Sequence, residues 1–248
     1  MMGKLVPDPI CDPHCGRGTH DRIEFTVCGK TWDVKWGCYD VFGTAAFWID
    51  QTARGGYEQK VAAMASGTDV EDEIVFCLLG GFGVTAESAA VAHEVVLGLI
   101  ETEPEPTAEM IEELLRNPLP KGHGRYRFPR QRAVRIAEAL ERVRKDPPPR
   151  CPFDLRTYLL GLRGVGPKTA AWVVRNVTGS AEVAIVDIWL VRALTWTGVF
   201  RPEWRVERHY ERFEEAFLQY AAHGNVKPAA LDLCIWEEAR MAGPSFFN

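Results

Sequence analysis

The chain has 248 residues, 46% of them hydrophobic and 25% charged, which is enough to bury a substantial core in one or two lobes. No apolar run approaches the ~20 residues that span a bilayer, and the N-terminus lacks a hydrophobic signal core, so we expect an intracellular protein (cytoplasm, nucleoid or nucleus) without a membrane partner. The net charge of −5 argues against a uniformly basic nucleic-acid-binding domain, but it leaves room for one basic face.

The first 40 residues differ from the rest of the chain in their cysteine and histidine content. Seven cysteines in an intracellular chain favour thiols or a metal over disulfides. A zinc site could use four of the cysteines and histidines near the N-terminus, but their spacing is irregular and small buried cysteines are the simpler interpretation. The residues concerned are Cys11, His14, Cys15, His20, Cys28 and Cys38.

Two alternating segments then predict a β-hairpin. Ile23–Val27 and Thr31–Trp36 each place apolar residues on one face, and Cys28-Gly29-Lys30 lies between them. We therefore expect a small N-terminal β-appendage in residues 1–40, followed by a helical domain in residues 41–248.

From Asp40 onward the sequence is typical of helices. Helical periodicity, Gly or Pro breaks and Thr caps at Thr85 and Thr107 define the segments. The predicted helices before residue 161 are Val41–Ala53, Asp69–Leu79, Ala86–Ile100, Ala108–Arg116, Arg130–Lys145 and Phe153–Leu160, and the last two in the chain are Val206–Ala222 and Ala229–Met241.

Positive charge is concentrated in residues 116–150. This stretch holds 11 Lys/Arg against three acids, a local balance of +8 in a chain that is acidic overall. The arginines lie largely off the apolar face of the predicted helix Arg130–Lys145. Such a face could be a solvated charged surface, or it could contact phosphate.

Residues 153–176 read as two helices joined by a glycine hairpin. Gly164 and Gly166 flank Val165, and Pro167 suits the first position of the second helix. The free N–H groups at the start of that helix suit a phosphate.

Lys168 occupies an unusual place in this hairpin. It lies in the first turn of the helix, where the helix dipole disfavours a cation and favours the neutral, nucleophilic amine. Asp187 follows 19 residues later as the expected N-cap of another helix. Taken singly, Lys168 could be an ordinary surface lysine and Asp187 an ordinary helix cap. Together with the hairpin, the two residues favour catalysis.

The segment Leu-Arg-Gly-Val-Gly-Pro-Lys-Thr-Ala at 162–170, with Val-Asp at 186–187, resembles the helix-hairpin-helix DNA glycosylases, in particular the bifunctional 8-oxoguanine DNA glycosylase/lyases of the archaeal type. The resemblance implies a mostly α, two-lobed fold and double-stranded DNA with a damaged base as partner. It implies that Lys168 attacks the damaged nucleotide and Asp187 assists. It also implies that the DNA backbone is held by Gly164, Val165, Gly166, Thr169, Arg125, Arg127 and Arg130.

The same resemblance suggests a base pocket. Leu231-Asp232-Leu233 followed by Trp236 is similar to a segment in which the tryptophan stacks on the extruded base, so Trp236 is a stacking candidate and Asp232 a hydrogen-bonding candidate. Phe82, in the turn Gly80–Val84, could be an apolar wedge in the DNA or a core residue. The tail Gly243–Asn248 differs from that subfamily, so another oxidised base stays open as the substrate.

The resemblance also bears on cofactors and partners. Some relatives carry a C-terminal iron–sulfur loop of four cysteines; this chain has only Cys234 there, so we expect no cluster. The carbonyls of Leu160, Leu162 and Val165 are candidates to hold a monovalent cation against phosphate. We expect a monomer. The rival outside enzymes is a non-catalytic DNA-binding protein that uses the hairpin only as a clamp.

Overall fold

The computed structural model describes residues 22–65, 69–81 and 83–247. The chain divides into two compact units, with Met1–Ala63 and Ala181–Asn248 in unit 1 and Met64–Ser180 in unit 2. In the part of the chain that is described, no helix is both long and apolar enough to cross a bilayer. The prediction of a mostly α protein with a small β-hairpin is confirmed.

The described residues form two strands and eleven α-helices. In chain order they are β1 (Arg22–Val27), β2 (Lys30–Lys35), α1 (Ala45–Arg54), α2 (Tyr57–Ala65), α3 (Val70–Leu79), α4 (Ala86–Thr102), α5 (Ala108–Arg116), α6 (Pro129–Lys145), α7 (Pro152–Leu160), α8 (Pro167–Thr178), α9 (Ile188–Thr197), α10 (Val206–His223) and α11 (Pro228–Ala242). A short 3-10 helix, Pro244–Phe247, follows α11.

The β-hairpin belongs to the hydrophobic core of unit 1. Its two-residue turn, Cys28-Gly29, has positive φ at both positions, as a tight hairpin turn requires. Phe25 is fully buried in the same apolar cluster as α10. The side chain of Gln219 on α10 accepts a hydrogen bond from the Thr26 N–H at 3.2 Å and donates one to the Thr26 carbonyl at 2.6 Å. The free edge of β1 is therefore paired with a helix rather than with water.

Unit 2 is a helical assembly around α3. This helix packs against α4, α6 and α8, α5 packs along α6, and α7 packs on α8. Ile74, Leu78 and Leu79 of α3 are buried in the resulting core. The buried Tyr126 hydroxyl donates to the Leu79 carbonyl at 2.5 Å, which satisfies a carbonyl at the C-terminal end of α3.

The capping residues predicted from the sequence mark the starts of two helices. Thr85 caps α4 through a hydrogen bond accepted from the Ser88 N–H, and Thr107 caps α5 in the same way from Met110. Helix α2 was not predicted, because Gly55-Gly56 breaks the pattern and no capping side chain opens it. Contacts with α11 stabilise it: Tyr57 Oη donates to Glu238 Oε1 at 2.9 Å, and Lys60 Nζ lies 2.5 Å from Glu237 Oε2.

The cysteine prediction was wrong at one position. Cys38 is disulfide-bonded, whereas Cys28, Cys77, Cys151 and Cys234 are free thiols. Of the six residues in the zinc hypothesis, Cys28 and Cys38 are described, whereas Cys11, His14, Cys15 and His20 lie outside the described ranges. Within those ranges, no three metal-ligating side chains lie together.

The packing of the hairpin makes a prediction about stability. Phe25→Ala removes a fully buried ring from the core of unit 1 and should reduce the free energy of unfolding by about 3–5 kcal/mol, measured by urea denaturation. Glu24→Ala, on the exposed face of the same strand, should change it by less than about 0.5 kcal/mol. Equal stability of the two variants would show that the hairpin does not contribute to that core.

Candidate active site and DNA-binding surface

The hairpin between α7 and α8 presents an open helix N-terminus. Gly164 has a φ of +91°, and the Val165 N–H donates to the Leu162 carbonyl at 3.1 Å to close the turn. Gly166 is the N-cap of α8 and offers no side-chain cap, and Pro167 has no N–H. The main-chain N–H groups of Lys168 and Thr169 therefore lie in a first turn that no side chain caps, which is the arrangement that binds a phosphate.

An arginine that the sequence argument did not single out packs on this hairpin. A Cβ added to Gly164 would lie 2.5 Å from Cδ of Arg135 on α6, so only glycine admits this close contact. Burial and the positive charges of Arg132 and Arg163 lower the pKa of the Arg135 guanidinium. An anion bound here would relieve that repulsion, so Arg135 is a further candidate phosphate contact. The sequence showed only that it lies off the apolar face of the helix.

The predicted phosphate-binding arginines are exposed in unit 2. Arg125, Arg127 and Arg130 lie at the start of α6 and in the segment before it. Arg127 Nη1 donates to the Gly83 carbonyl at 3.3 Å, which ties this segment to the loop after α3. The basic stretch and the hairpin thus belong to the same unit. Phe82 lies outside the described residues.

Lys168 lies on the face of α8 that packs against α3. Its Nζ is 6.0 Å from the centroid of the Trp172 ring, one turn along the same helix face. Phe76 of α3 contacts that ring edge-on at a centroid separation of 6.1 Å. The half-buried lysine therefore lies against an indole that is itself packed on Phe76.

A buried carboxylate lies further along the same interface. Glu73 of α3 is only 8% exposed, and its Oε1 accepts hydrogen bonds from Asn176 Nδ2 at 2.6 Å and Cys77 Sγ at 3.7 Å. Burial raises the pKa of Glu73, and these hydrogen bonds and the charge of Arg175 oppose the rise. Burial also raises the pKa of the Cys77 thiol, as does the Glu73 carboxylate, whereas the charges of Arg175 and Lys168 lower it. The α3–α8 interface behind Lys168 is therefore polar and electrostatically coupled.

In unit 1, Asp187 is the N-cap of α9. Its Oδ1 accepts a hydrogen bond from the Leu190 N–H at 2.8 Å. The buried segment before it is fixed by α10: Tyr210 Oη donates to the Ala184 carbonyl at 2.6 Å, and Glu214 Oε1 accepts from the Ala184 N–H at 3.0 Å. Tyr210 and Glu214 thus position the candidate carboxylate, a role that only the tertiary structure reveals.

The two base-pocket candidates lie one turn apart on α11 of unit 1. Asp232 is 5% exposed, and Trp236 is half-buried with the Arg240 guanidinium 5.0 Å from its ring centroid. Trp236 also packs against the small buried cluster that contains Tyr57 and Cys234. The protein itself therefore already contacts this indole from α11 and from the cluster around Tyr57.

Two features are typical of the helix-hairpin-helix DNA glycosylases. One is the helix-hairpin-helix in unit 2, with its lysine in the first turn of α8, and the other is the aspartate that caps α9. The chain matches the family described as 8-oxoguanine DNA glycosylase over residues 56–226 and belongs to that family. It is therefore a DNA base-excision repair glycosylase.

Solved structures with the same fold come from bacteria and archaea. The 8-oxoguanine DNA glycosylase of Thermotoga maritima is 24% identical with a TM-score of 0.58, covering 77% of this chain and 95% of its own. That of Methanocaldococcus jannaschii is 25% identical with a TM-score of 0.59, covering 77% and 91%. The M. jannaschii glycosylase/lyase in complex with a 15mer DNA containing 8-oxoguanine is 22% identical, with a TM-score of 0.57 and coverage of 77% and 95%. Among curated proteins, no relative matches significantly.

The hairpin geometry predicts a difference between its two glycines. Gly164→Ala forces a side chain into positive φ, which costs roughly 1–2 kcal/mol, and pushes it against Arg135, so affinity for duplex DNA should fall. Gly166→Ala meets nothing within 4 Å and keeps its N–H, so affinity should stay near that of the wild type. Fluorescence anisotropy with a labelled duplex measures both, and equal affinities would contradict the assigned phosphate site.

The buried Glu73 predicts a pH-dependent stability difference. Because burial raises its pKa in the folded state, folding favours the protonated form, and the cost of the charged form grows as pH rises above the ordinary Glu pKa of 4.5. Glu73→Gln removes this titration and keeps an oxygen that can accept from Asn176. Its melting temperature should match the wild type at pH 4 and exceed it at pH 8, and the difference should grow only between the unfolded-state and folded-state pKa of Glu73.

Glu113→Gln, at an exposed position of α5, is the control for loss of one carboxylate and should give no such trend. A melting-temperature difference for Glu73→Gln that stays constant from pH 4 to pH 8 would show that this carboxylate carries no burial penalty.

Proposed function

We propose that this glycosylase removes 8-oxoguanine from double-stranded DNA, with Lys168 as the nucleophile and Asp187 as the assisting carboxylate. The observation that carries the proposal is the position of Lys168: a half-buried amine in the first turn of α8, beside uncapped main-chain N–H groups and above the Trp172 ring. A phosphate bound by those N–H groups would hold a nucleotide next to the amine.

The proposed reaction begins with the damaged nucleotide outside the base stack, because its C1′ atom is otherwise inaccessible. The lone pair of Lys168 Nζ forms a bond to C1′ while the glycosidic bond breaks, and the base leaves with the bonding electrons and gains a proton. The nitrogen lone pair then forms the C=N bond of an imine as the C1′–O4′ bond breaks, which opens the sugar ring and leaves O4′ to take up a proton. Loss of a proton from C2′ then allows β-elimination, in which the C3′–O3′ bond breaks, the 3′ phosphate leaves and the strand is cleaved.

The surroundings of Lys168 and Asp187 support these roles. The Trp172 ring, which Phe76 packs against edge-on, restricts where the lysine can point. In the proposal Asp187 supplies the negative charge that stabilises the sugar as positive charge develops, and its hydrogen bond to Leu190 N–H holds the carboxylate in place.

The proposed DNA contacts divide between the two units. In unit 2 the main chain of residues 164–169 and the side chains of Arg125, Arg127, Arg130 and Arg135 hold phosphates. In unit 1, Trp236 would stack on the extruded base and Asp232 would hydrogen-bond to it. The enzyme would act as a monomer inside the cell. Phe82 would act as an apolar wedge between bases of the DNA.

We also propose a monovalent cation at the hairpin, held by the carbonyls of Leu160, Leu162 and Val165. The Leu162 carbonyl accepts one hydrogen bond, from the Val165 N–H, and a carbonyl has a second lone pair for a cation. The chemistry such an ion supplies is electrostatic attraction for the DNA phosphate. The proposed bond-making steps do not pass through it.

Trapping experiments test the proposed nucleophile. Borohydride should covalently link the wild-type protein to a duplex containing 8-oxoguanine by reducing the imine. Lys168→Gln should lose trapping and base release by at least about 10³-fold while duplex affinity is retained, because only the nucleophile is gone. Lys145→Gln, an exposed lysine of the same unit, should trap like the wild type. Strand cleavage by Lys168→Gln at the wild-type rate would show that Lys168 is not the nucleophile.

The carboxylate is tested separately. Asp187→Asn keeps an oxygen that can cap α9, so the fold and duplex affinity should persist while turnover falls by about 10²–10³-fold. Running the same assay on duplexes with oxidised pyrimidines tests the substrate. Faster release of another oxidised base than of 8-oxoguanine would contradict the proposed substrate and leave the lysine mechanism intact.

A further inference from the structure

The β-hairpin helps to form a pocket in unit 1 that the repair chemistry leaves without a role. The pocket encloses about 270 Å³ between β2, the loop after α9 and α10, and its walls include Lys30, Trp32, Arg201, Glu203, Trp204 and Arg212. Its volume is slightly below the ~300–1,000 Å³ of ordinary small-molecule sites, so it can hold one nucleotide-sized group. The hairpin lies outside the residues matched by the glycosylase family, 56–226.

The pocket is rich in positive charge. Three cationic side chains face one carboxylate, and the only ion pair among them joins Arg201 Nε and Glu203 Oε1 at 3.4 Å, as far as the described residues show. Lys30 and Arg212 thus have no ion-pair partner in the described part of the chain. With Lys30, Arg201 and Arg212 against Glu203, the lining has an excess of two positive charges, which favours an anionic ligand.

One wall of the pocket is a fixed aromatic ring. Trp32 Nε1 donates to the Gly198 carbonyl at 3.0 Å, and Phe25 stacks on the indole with a centroid separation of 5.7 Å. The Arg201 guanidinium lies 5.9 Å from the Trp32 centroid, and Trp204 meets it edge-on at 5.6 Å. Since Trp32 is held in place yet half-exposed, a planar ligand can contact it with little loss of side-chain entropy.

A second cavity adjoins the pocket. An open groove of about 460 Å³ shares Arg201 and Trp204 with the pocket and adds Arg192, Arg205 and Trp196 to its lining, with Glu207 as its acidic residue. Cations and aromatic rings therefore continue beyond the space that one nucleotide fills. Such a surface is the type that binds single-stranded nucleic acid, because cations contact the backbone and aromatic rings stack on bases of any sequence.

We propose that this pocket and groove bind a single-stranded DNA segment, with one nucleotide in the pocket against Trp32 and its phosphate near Lys30 and Arg212. The site is additional to the lysine chemistry and does not depend on it. A free nucleotide has the same chemistry as one residue of a strand, but the cations and aromatic rings of the adjoining groove favour the strand.

The test compares two charge reversals on the same helix. Anisotropy of a labelled ten-residue oligothymidine should report binding by the full-length protein that weakens with salt. Arg212→Glu should weaken it by about fivefold or more relative to Arg208→Glu, which makes the same charge change at an exposed α10 position outside both cavities. Lys30→Glu with Arg212→Glu should weaken it further. Equal affinities for Arg212→Glu and Arg208→Glu would overturn the proposal.

Further arms identify the ligand and separate this site from the active site. Trp32→Ala should lower affinity for the oligonucleotide by about fivefold or more at temperatures where its melting curve shows it folded. Thymidine monophosphate should compete only at concentrations well above the oligonucleotide; equal competition per nucleotide would mean a free-nucleotide site and contradict the strand. Arg212→Glu should still be trapped by borohydride on the 8-oxoguanine duplex. If the wild-type protein itself is not trapped, the proposed nucleophile is contradicted, but the proposed single-strand site is not.

Discussion

The uncapped first turn of α8 is the constraint on which the candidate site depends. Gly166 and Pro167 leave that turn without a capping side chain, so its remaining N–H groups need a partner from outside the chain. The positive φ of Gly164 turns the backbone so that Arg135 can pack against it. One local arrangement therefore supplies the uncapped N–H groups, the close approach of Arg135 and the position of Lys168 in the first turn of α8.

The helix face behind that turn links the site to the core of unit 2. Trp172 lies one turn beyond Lys168, and Asn176 lies one turn further and donates to the buried Glu73 carboxylate. Burial of a carboxylate costs stability unless hydrogen bonds compensate, and here an amide and a thiol do so in part. The fold thus maintains a polar interface close to a candidate nucleophile, where an apolar one would pack at lower cost.

In unit 1, the main feature is the pairing of the edge of strand β1 with a side chain of α10. Gln219 pairs its side-chain amide with the main chain at Thr26, so β1 gains hydrogen bonds without a third strand. The same docking brings Trp32 next to Arg201 and Trp204. A hairpin that completes the core of unit 1 therefore also forms a charged, aromatic surface on it.

The sequence by itself determined the features that depend on neighbouring residues. Thr85 and Thr107 cap their helices through hydrogen bonds three residues away, and Asp187 does the same. The glycine hairpin was equally visible, because backbone freedom and the missing proline N–H are properties of the residues themselves. Family membership followed from that short local motif.

Only the tertiary structure decided the features that join distant segments. Helix α2 forms because Tyr57 and Lys60 find partners on α11, and no local pattern announces those partners. The roles of Arg135 beside Gly164 and of Glu73 behind Lys168 likewise come from helices that meet in space. The physical reason is that capping and turn energies act over a few residues, whereas burial and charge pairing depend on which surfaces the whole chain brings together.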